Sequence, residues 1–220
     1  MSGPLLRGSR LNFKSGTFAG YDWVISGQTS IDSTTTIGVP MLKACGHKLA
    51  GAAATTGVYL NNSDSTFTSA GLAFGCDKGK AEYFPVLYLN GAGHEYPKLK
   101  AKPGDTVVLT VDENASATTV SVADKTHKSV HKSLSGGGGT GLTAPWLGIS
   151  AGENANGKPY PPPDFGKVSF SASFLDGEAW AARAEGALQG YNRYKGKTLE
   201  IKTGPFASND EGFSTVFKHP

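Results

Sequence analysis

Alternating apolar and polar residues recur along the chain and predict many short β-strands. The clearest example is residues 106–111 (TVVLTV), which follow a turn at residues 103–105. The same pattern continues through residues 117–123 and 126–134, with short Asp-containing turns between the segments. Successive side chains of a strand point to opposite faces, and short turns join antiparallel neighbours. These three segments therefore predict an antiparallel meander.

The N-terminal half of the chain shows similar patterning. Residues 18–42 are typical of paired strands, and residues 56–60 and 67–74 are typical of short single strands. Residues 81–89 (AEYFPVLYL) form an apolar, aromatic strand that contains Pro85. Because proline has no amide hydrogen to donate to a sheet, we expect this strand to be bulged, or to lie on an edge, at Pro85.

A loop rich in Gly, Asn and Pro separates two apolar segments within residues 141–170. The first segment is centred on Trp146, and the second alternates with period two. We expect Phe165, Val168 and Phe170 to share one half-buried strand face. Loops of this kind build sites at the rim of a sandwich, so Trp146 and the loop are expected to border any working cleft.

The C-terminal part contains the only helical signal. Residues 177–185 carry alanine and charge at helical propensity, whereas residues 199–202 and 213–217 are typical of closing strands. No internal repeat is visible. The sequence predicts one all-β domain spanning residues 1–220, an antiparallel β-sandwich with at most one short helix, in which residues 1–15 are an N-terminal extension.

Composition narrows the function classes. The 220 residues suit one large all-β domain, and a formal net charge of +3 gives no electrostatic case for nucleic acid. No apolar run approaches the roughly 20 residues of a membrane span, and residues 1–10 lack the apolar core of a secretory signal. The glycine run at residues 136–139 lacks the lysine of a phosphate loop, and no cofactor is expected.

The two cysteines, Cys45 and Cys76, leave two readings open. They are either buried free thiols that pack as small apolar groups, or a disulfide formed in an oxidising compartment. Neither lies in a CxxC motif, so zinc and thioredoxin-type chemistry have little support.

Titratable side chains form several candidate catalytic or metal-binding groups, each with little support. His94 and Glu95 lie in a polar loop at residues 90–95 and form a candidate acid/base pair. Ser69 with His94 would suggest acyl transfer, but the G-x-S-x-G elbow is absent. His127 and His131 share one face of the predicted strand 126–134, but no third ligand follows, so no metal site is expected.

Aromatic residues are the candidates for ligand contact. Trp23, Tyr59, Tyr88, Trp146 and Tyr160 would suit stacking on a sugar or a peptide. Some of them are expected to belong to the core instead, because sandwiches routinely bury aromatic side chains.

Five segments, in this order, resemble the eqolisins, which are glutamic peptidases with a concanavalin-like β-sandwich fold. The segments are residues 17–21 (TFAGY), 34–40 (TTTIGVP), 102–111 (KPGDTVVLTV), 164–170 (DFGKVSF) and 212–217 (GFSTVF). DFGKVSF is the most specific match, and the likeness covers nearly the whole chain. The resemblance implies a concanavalin-like fold and a disulfide between Cys45 and Cys76.

The catalytic positions depart from the family pattern. Eqolisins use one Gln and one Glu across the concave face, where the Glu activates a water and the Gln polarises the oxyanion. Here Ser69 stands where the resemblance places the Gln, and Pro145 stands where it places the Glu. A proline side chain cannot exchange a proton, whereas a general base contributes about 10²–10⁴-fold to the rate.

The sequence therefore predicts an eqolisin-like sandwich that has lost glutamic-peptidase catalysis. It keeps a cleft that binds a peptide, carbohydrate or small molecule, or that performs a different reaction. One alternative is a hydrolase with a relocated carboxylate, Glu153 or Glu95. Another is a carbohydrate-binding or lyase-like module, which rests on fold analogy. We expect the protein to be secreted, with a cytosolic location as the alternative.

Overall fold

A computed structural model describes residues 12–15, 18–23, 28–43, 45–46, 50–60, 63–128, 130–139, 141–151, 160–182, 186–191 and 199–218. Within these ranges the elements are β-strands and one 3-10 turn, Trp180–Ala182. The same ranges contain no helix with the length and apolar character needed to cross a membrane.

The strands are β1 Asn12–Ser15, β2 Phe18–Asp22, β3 Ser30–Gly38, β4 Ala50–Leu60, β5 Ser63–Asp77, β6 Lys80–Leu89, β7 Ala92–Glu95, β8 Thr106–Asn114, β9 Ala117–Asp124, β10 His131–Gly137, β11 Leu142–Ala151, β12 Lys167–Leu175, β13 Glu178–Ala179, β14 Gly186–Tyr191, β15 Leu199–Thr203 and β16 Phe213–Phe217.

Hydrogen bonds link the strands in one path with the order β10-β9-β8-β3-β12-β16-β15-β14-β2-β11-β4-β5-β6-β7. Strands β10 to β15 of this path are called the first layer, and strands β14 to β7 are called the second layer. Neighbours along the path are antiparallel, whereas β1 pairs in parallel with β14. The layers face each other, since β5 contacts β8 and β9, and β4 contacts β3. The predicted antiparallel β-sandwich is confirmed.

One apolar core fills the space between the two layers. Phe165, Val168 and Phe170 are all buried in it. Val168 and Phe170 share the inner face of β12, as predicted from DFGKVSF, whereas Phe165 lies before the strand and reaches the core from the preceding segment. Strand alternation explains most of the rest, because every second residue of β8, from Val107 to Val111, also points inward.

A directed hydrogen-bond chain crosses this core. The indole Nε1 of Trp180 donates to Ser33 Oγ at 3.3 Å, and Ser33 Oγ lies 2.6 Å from Thr56 Oγ1. Thr56 Oγ1 donates in turn to the carbonyl oxygen of Trp146 at 3.2 Å. Ser33 is on β3 and Thr56 on β4, so the chain joins the two layers through otherwise apolar surroundings.

The predicted strand at residues 126–134 is wrong at its start. The Asp124 carboxylate oxygen Oδ1 accepts the backbone amides of Thr126 and His127, which fixes a turn there. β10 therefore begins at His131 and runs into the glycine run as far as Gly137, paired with β9. As a consequence, His127 and His131 do not share a strand face.

The predicted loop at residues 90–95 is also wrong. Asn90 and Gly91 both have positive φ, 50° and 83°, which is the backbone of a type I′ hairpin turn. The chain then returns along β6 as β7, so His94 and Glu95 lie on an edge strand. Pro85 precedes the part of β6 that β7 covers, which confirms the edge alternative for this proline.

The helical signal at residues 177–185 corresponds to β13 and the 3-10 turn as far as Ala182, and residues 183–185 lie outside the described ranges. Burial of the Trp180 side chain, rather than helical propensity, determines the conformation of this segment.

A disulfide joins Cys45 to Cys76, with the two Cα atoms 5.2 Å apart. Cys76 is at the end of β5, opposite Ala50 at the start of β4. The bond therefore anchors the segment before β4 to the second layer, and it confirms the pairing that the family resemblance implied.

Removing this disulfide is expected to destabilise the protein. The bond closes a loop with a sequence separation of 31 residues, and the loop entropy predicts a loss of about 3–4 kcal/mol in the free energy of unfolding. Urea unfolding of a Cys45→Ser/Cys76→Ser double variant measures the loss, and reduced wild type serves as the control. Equal midpoints for the variant and the oxidised protein would contradict the expectation.

Candidate functional site

The side of the second layer that faces away from the core carries small residues and aromatic rings. Core-facing residues of this layer include Ala54, Leu72 and Leu147, so their strand neighbours point to the opposite side. We call this side the aromatic face. Four of its rings, those of Tyr59, Phe67, Tyr88 and Trp146, lie near one another, and Phe18 and Phe84 are on the same side. Its small residues are Gly51, Ala53, Thr55, Gly57, Ser69, Gly71, Ala73, Gly148 and Ser150.

One row of paired residues crosses the aromatic face from strand to strand. Its members, in order from β2 to β7, are Asp22, Trp146, Gly57, Ser69, Tyr88 and Gly93. Directly paired residues of antiparallel strands project to the same side, with Cβ atoms about 4.5–5.5 Å apart. The structure therefore places two of the predicted site residues, Ser69 and Tyr88, next to each other, with Trp146 two strands from Ser69.

Trp146 is held flat against the sheet at Gly57. A Cβ atom at Gly57 would lie 2.6 Å from Cη2 of the indole and 2.7 Å from the Cβ of Ser69. Only glycine leaves room for the ring there. The indole Nε1 also donates to Thr55 Oγ1 at 3.2 Å, which fixes the ring orientation. Ser69, at 3% exposure, lies just beyond this covered glycine.

The four rings form a continuous cluster. Ring centroids are 4.7 Å apart for Tyr59 and Trp146 and 4.8 Å apart for Phe67 and Tyr88, and Phe67 lies 5.8 Å from Trp146. Each such pair contributes about 0.5–1.5 kcal/mol beyond its area burial. All four side chains are only half-buried, so they keep surface on which a ligand could stack.

The other two aromatic candidates, Trp23 and Tyr160, lie outside the ring cluster. Trp23 packs against the hydrophobic core, so it is not part of the ring cluster. Tyr160 lies over Gly51, 3.8 Å from the position of a Cβ there, and therefore borders the aromatic face farther along β4.

The predicted acid and base residues do not converge on Ser69. Glu95 is paired with Val86, which shares the aromatic face with Tyr88, so Glu95 lies at the outer rim of that face and is exposed. His94 alternates to the opposite side of β7. The predicted pairing of Ser69 with His94 is therefore not formed. Glu153 lies outside the described residues.

Sequence reasoning missed the carboxylate that lies in the row across the aromatic face. Asp22 follows Tyr21, whose side chain is in the core, and it is paired with Trp146 in the register of β2 and β11. The alternation of FAGYD, with Ala19 and Tyr21 inward, is the signal that could have found it.

A second cluster, of two carboxylates and a histidine, lies in the first layer at the turns before β8 and after β9. Ligand atoms of Asp105, Asp124 and His127 all lie within 4.8 Å of one another, and both aspartates are buried. His127 Nδ1 is 2.6 Å from Asp105 Oδ1, the distance of a short hydrogen bond. The other Asp105 oxygen accepts the amide of Lys102, and Asp124 accepts two backbone amides. These contacts explain the cluster as a brace for two turns, although its atoms are also of the type that ligate metals.

The fold and this face define an antiparallel β-sandwich with an aromatic surface on one layer. The family model described as the Peptidase A4 family matches residues 16–210, so the chain belongs to the Peptidase A4 family. The resemblance to eqolisins is thereby confirmed. No curated protein matches the chain.

Solved structures support the same fold. The chain is similar to scytalido-glutamic peptidase bound to a transition state analog inhibitor, with a TM-score of 0.72, 16% identity, and coverage of 93% of this chain and 99% of that one. SCP-B, an eqolisin in complex with the tripeptide Ala-Ile-His, gives 0.71 and 16% with the same coverage. Aspergilloglutamic peptidase from Aspergillus niger gives 0.59 and 15%, over 77% of this chain and 99% of that one.

Substituting Gly57 tests the seating of Trp146. We expect Gly57→Ala to displace the indole and to lower the free energy of unfolding by about 1–3 kcal/mol, the usual range for overpacking. Tryptophan fluorescence and urea unfolding report the two effects. Gly38→Ala is the matched control, because nothing lies within 4 Å of a Cβ placed at Gly38. Equal losses in both variants would show that Trp146 does not need Gly57.

Proposed function

We propose that this Peptidase A4 family member binds an extended peptide across the aromatic face and does not cleave it by the Glu/Gln mechanism of glutamic peptidases. The observation that carries the proposal is the row through Trp146, Gly57 and Ser69. Its centre presents the Trp146 indole, which covers Gly57 and lies near the buried Ser69 hydroxyl. None of these groups can serve as the general base that a glutamic peptidase needs.

The loss of catalysis follows from the chemistry of two side chains. Pro145 is buried beside Trp146 and has no group that can take a proton from water. Ser69 can offer one hydroxyl donor, but it lacks the amide with which a glutamine would bind both water and oxyanion. Loss of one oxyanion donor typically lowers kcat by about 10²–10³-fold, in addition to the loss of the base.

The length of the row favours an extended chain as the ligand. From β2 to β6 the row spans four strand spacings, about 19 Å at ~4.8 Å each. An extended peptide rises about 3.3 Å per residue, so roughly six residues would cross it. Two related structures contain peptide ligands, namely scytalido-glutamic peptidase with a peptide based transition state analog and SCP-B with the tripeptide Ala-Ile-His.

The tripeptide Ala-Ile-His is a direct probe of peptide binding. We expect saturable binding by calorimetry, and we expect Trp146→Ala to weaken it about tenfold, since aromatic contacts of this kind contribute on the order of 1.4 kcal/mol. Trp23→Phe is the matched control, because Trp23 packs against the core. Absence of binding at millimolar peptide, or equal weakening by both substitutions, would count against a peptide site on this face.

A hydrolase with a relocated carboxylate is the second candidate. Its support is that Asp22 and Glu95 both project to the aromatic face, Asp22 in the row itself and Glu95 at the rim. Glu153 remains a third candidate from the sequence alone. Either described carboxylate could activate a water if a peptide were drawn toward its strand.

Casein cleavage between pH 3 and pH 8 distinguishes the two candidates. The binding proposal predicts no cleavage above the buffer blank. Cleavage that disappears in Asp22→Asn or Glu95→Gln, but persists in Glu82→Gln, would establish the hydrolase instead. Glu82 is a suitable control, because it is near the opposite end of β6 and pairs with Lys100 at 3.3 Å.

We further propose that the protein works in an oxidising compartment. The support is the Cys45–Cys76 disulfide, because such bonds persist mainly in exported proteins. Thiol alkylation at the moment of cell lysis, followed by intact mass, tests this. Two alkylated cysteines in the native protein would favour the cytosol.

A further inference from the structure

One carboxyl group is enclosed by the sandwich and used by none of the features above. Glu113 lies on β8 in the inward phase of Val107, Leu109 and Val111, and its side chain is completely buried. Neither carboxylate oxygen has a hydrogen-bond partner of good geometry within the described structure. A buried carboxylate in this condition is costly when charged, so the group needs either a partner or a proton.

Polar groups from β5, from β9 and from the segment after β10 lie around this carboxyl. The hydroxyls of Thr68 and Thr118 and the backbone amide of Gly139 are close enough to favour its charged form. Both hydroxyl protons already have other acceptors. Thr118 Oγ1 donates to the carbonyl of Gly137 at 3.1 Å, and Thr68 Oγ1 donates to Asn90 Oδ1 at 3.4 Å.

The described neighbours offer no compensating charge. Ile31 on β3 and Thr118 on β9 are the residues paired with Glu113. Thr68 faces it from β5, and Gly139 follows β10. Asp112 precedes Glu113 in β8, and Asp32 follows its paired residue Ile31 in β3. Both carboxylates are exposed, because they alternate to the outer side of the first layer. Among the described side chains that face Glu113, none is ionisable.

We propose that the protonation state of Glu113 controls whether the sandwich stays closed at the end formed by β10 and the turn at residues 90–91. We call this arrangement the latch. When neutral, the carboxyl stays enclosed without a charge, and the hydroxyl hydrogens of Thr118 and Thr68 remain bound to Gly137 and Asn90. When the proton leaves, the carboxylate draws these hydroxyl hydrogens to itself. The Thr118–Gly137 and Thr68–Asn90 bonds then break, and water enters between β10 and the turn at residues 90–91.

The latch extends to the aromatic face. Thr68 is next to Phe67 in β5, and the carbonyl of Phe67 accepts the amide of Gly91 at 2.9 Å in the same turn. Asn90 Nδ2 also donates to Gly137 O at 3.0 Å, so one turn holds both layers. Opening this end would loosen the support of the Phe67 and Tyr88 rings. The latch itself does not depend on the proposed peptide binding.

The direction of the pH effect follows from burial. Burial raises the pKa of Glu113, and the nearby hydroxyls and the Gly139 amide lower it by less. The folded protein therefore retains this proton above the usual carboxyl pKa of about 4.3. Stability from the neutral group is full below that value and is lost as pH rises to the folded pKa of Glu113. Partial desolvation raises the pKa of Asp32 as well, with Asp112 and Asp176 adding repulsion, so Asp32 acts in the same direction.

Comparison of wild type with Glu113→Gln isolates the contribution of this one group. Glutamine keeps the shape of the side chain and cannot ionise. The unfolding equilibrium constant of wild type, divided by that of the variant, is expected to rise about tenfold per pH unit between the two pKa values. Protection from hydrogen exchange at residues 137–139 and 90–91, taken relative to the intrinsic rate at each pH, should fall over the same range in wild type only.

Two controls make the result decisive. Glu95→Gln, an exposed glutamate, should leave the pH profile of wild type unchanged. Carbon-13 NMR titration of wild-type glutamate carboxyls should show one group that keeps its proton above the usual glutamate pKa, and it covers the case in which Glu113→Gln does not fold. Parallel profiles for wild type and Glu113→Gln, or titration of every glutamate near its usual pKa, would overturn the latch.

Discussion

The hydrogen-bond chain from Trp180 through Ser33 and Thr56 to the Trp146 carbonyl is the interaction on which the two halves of the structure depend. It is the point where the apolar interior is crossed by a directed polar link, with each hydroxyl both accepting and donating. Loss of either hydroxyl would leave a buried neighbour unpaired, at about 1–3 kcal/mol. Because the chain ends on the backbone of Trp146, the core of the first layer and the aromatic face of the second are mechanically connected.

Trp146 takes part in both the core network and the aromatic face. The backbone of Trp146 belongs to the core network, while its ring lies over Gly57 and within the cluster of Tyr59 and Phe67. A side chain fixed in this way loses little conformational entropy on binding, which favours a rigid contact surface. The small residues on the neighbouring strands leave space beside the ring, which the peptide binding proposed above would use.

Period-two patterning predicted the sandwich, the meander and the buried face of DFGKVSF, because those features depend only on which residues leave water. The start of β10 was missed because the side chain of Asp124 competes with the strand for backbone amides. β7 was missed although Asn90-Gly91 is a strong type I′ signal, because its four residues are all exposed and show no alternation. The burial of Glu113 could have been predicted, because it occupies an inward-facing position in the alternation of β8. The row from Asp22 to Gly93 could not, because it depends on the pairing register of six strands.

The two outermost strands of the hydrogen-bonded path, β7 and β10, are the places where a foreign strand could add to the sheet. At one end, the turn that precedes β7 is hydrogen-bonded to β10. The last carbonyl of β10, that of Gly137, already receives the side-chain amide of Asn90 and the hydroxyl of Thr118. An incoming chain would find this acceptor occupied, so strand addition is disfavoured at this corner of the edge.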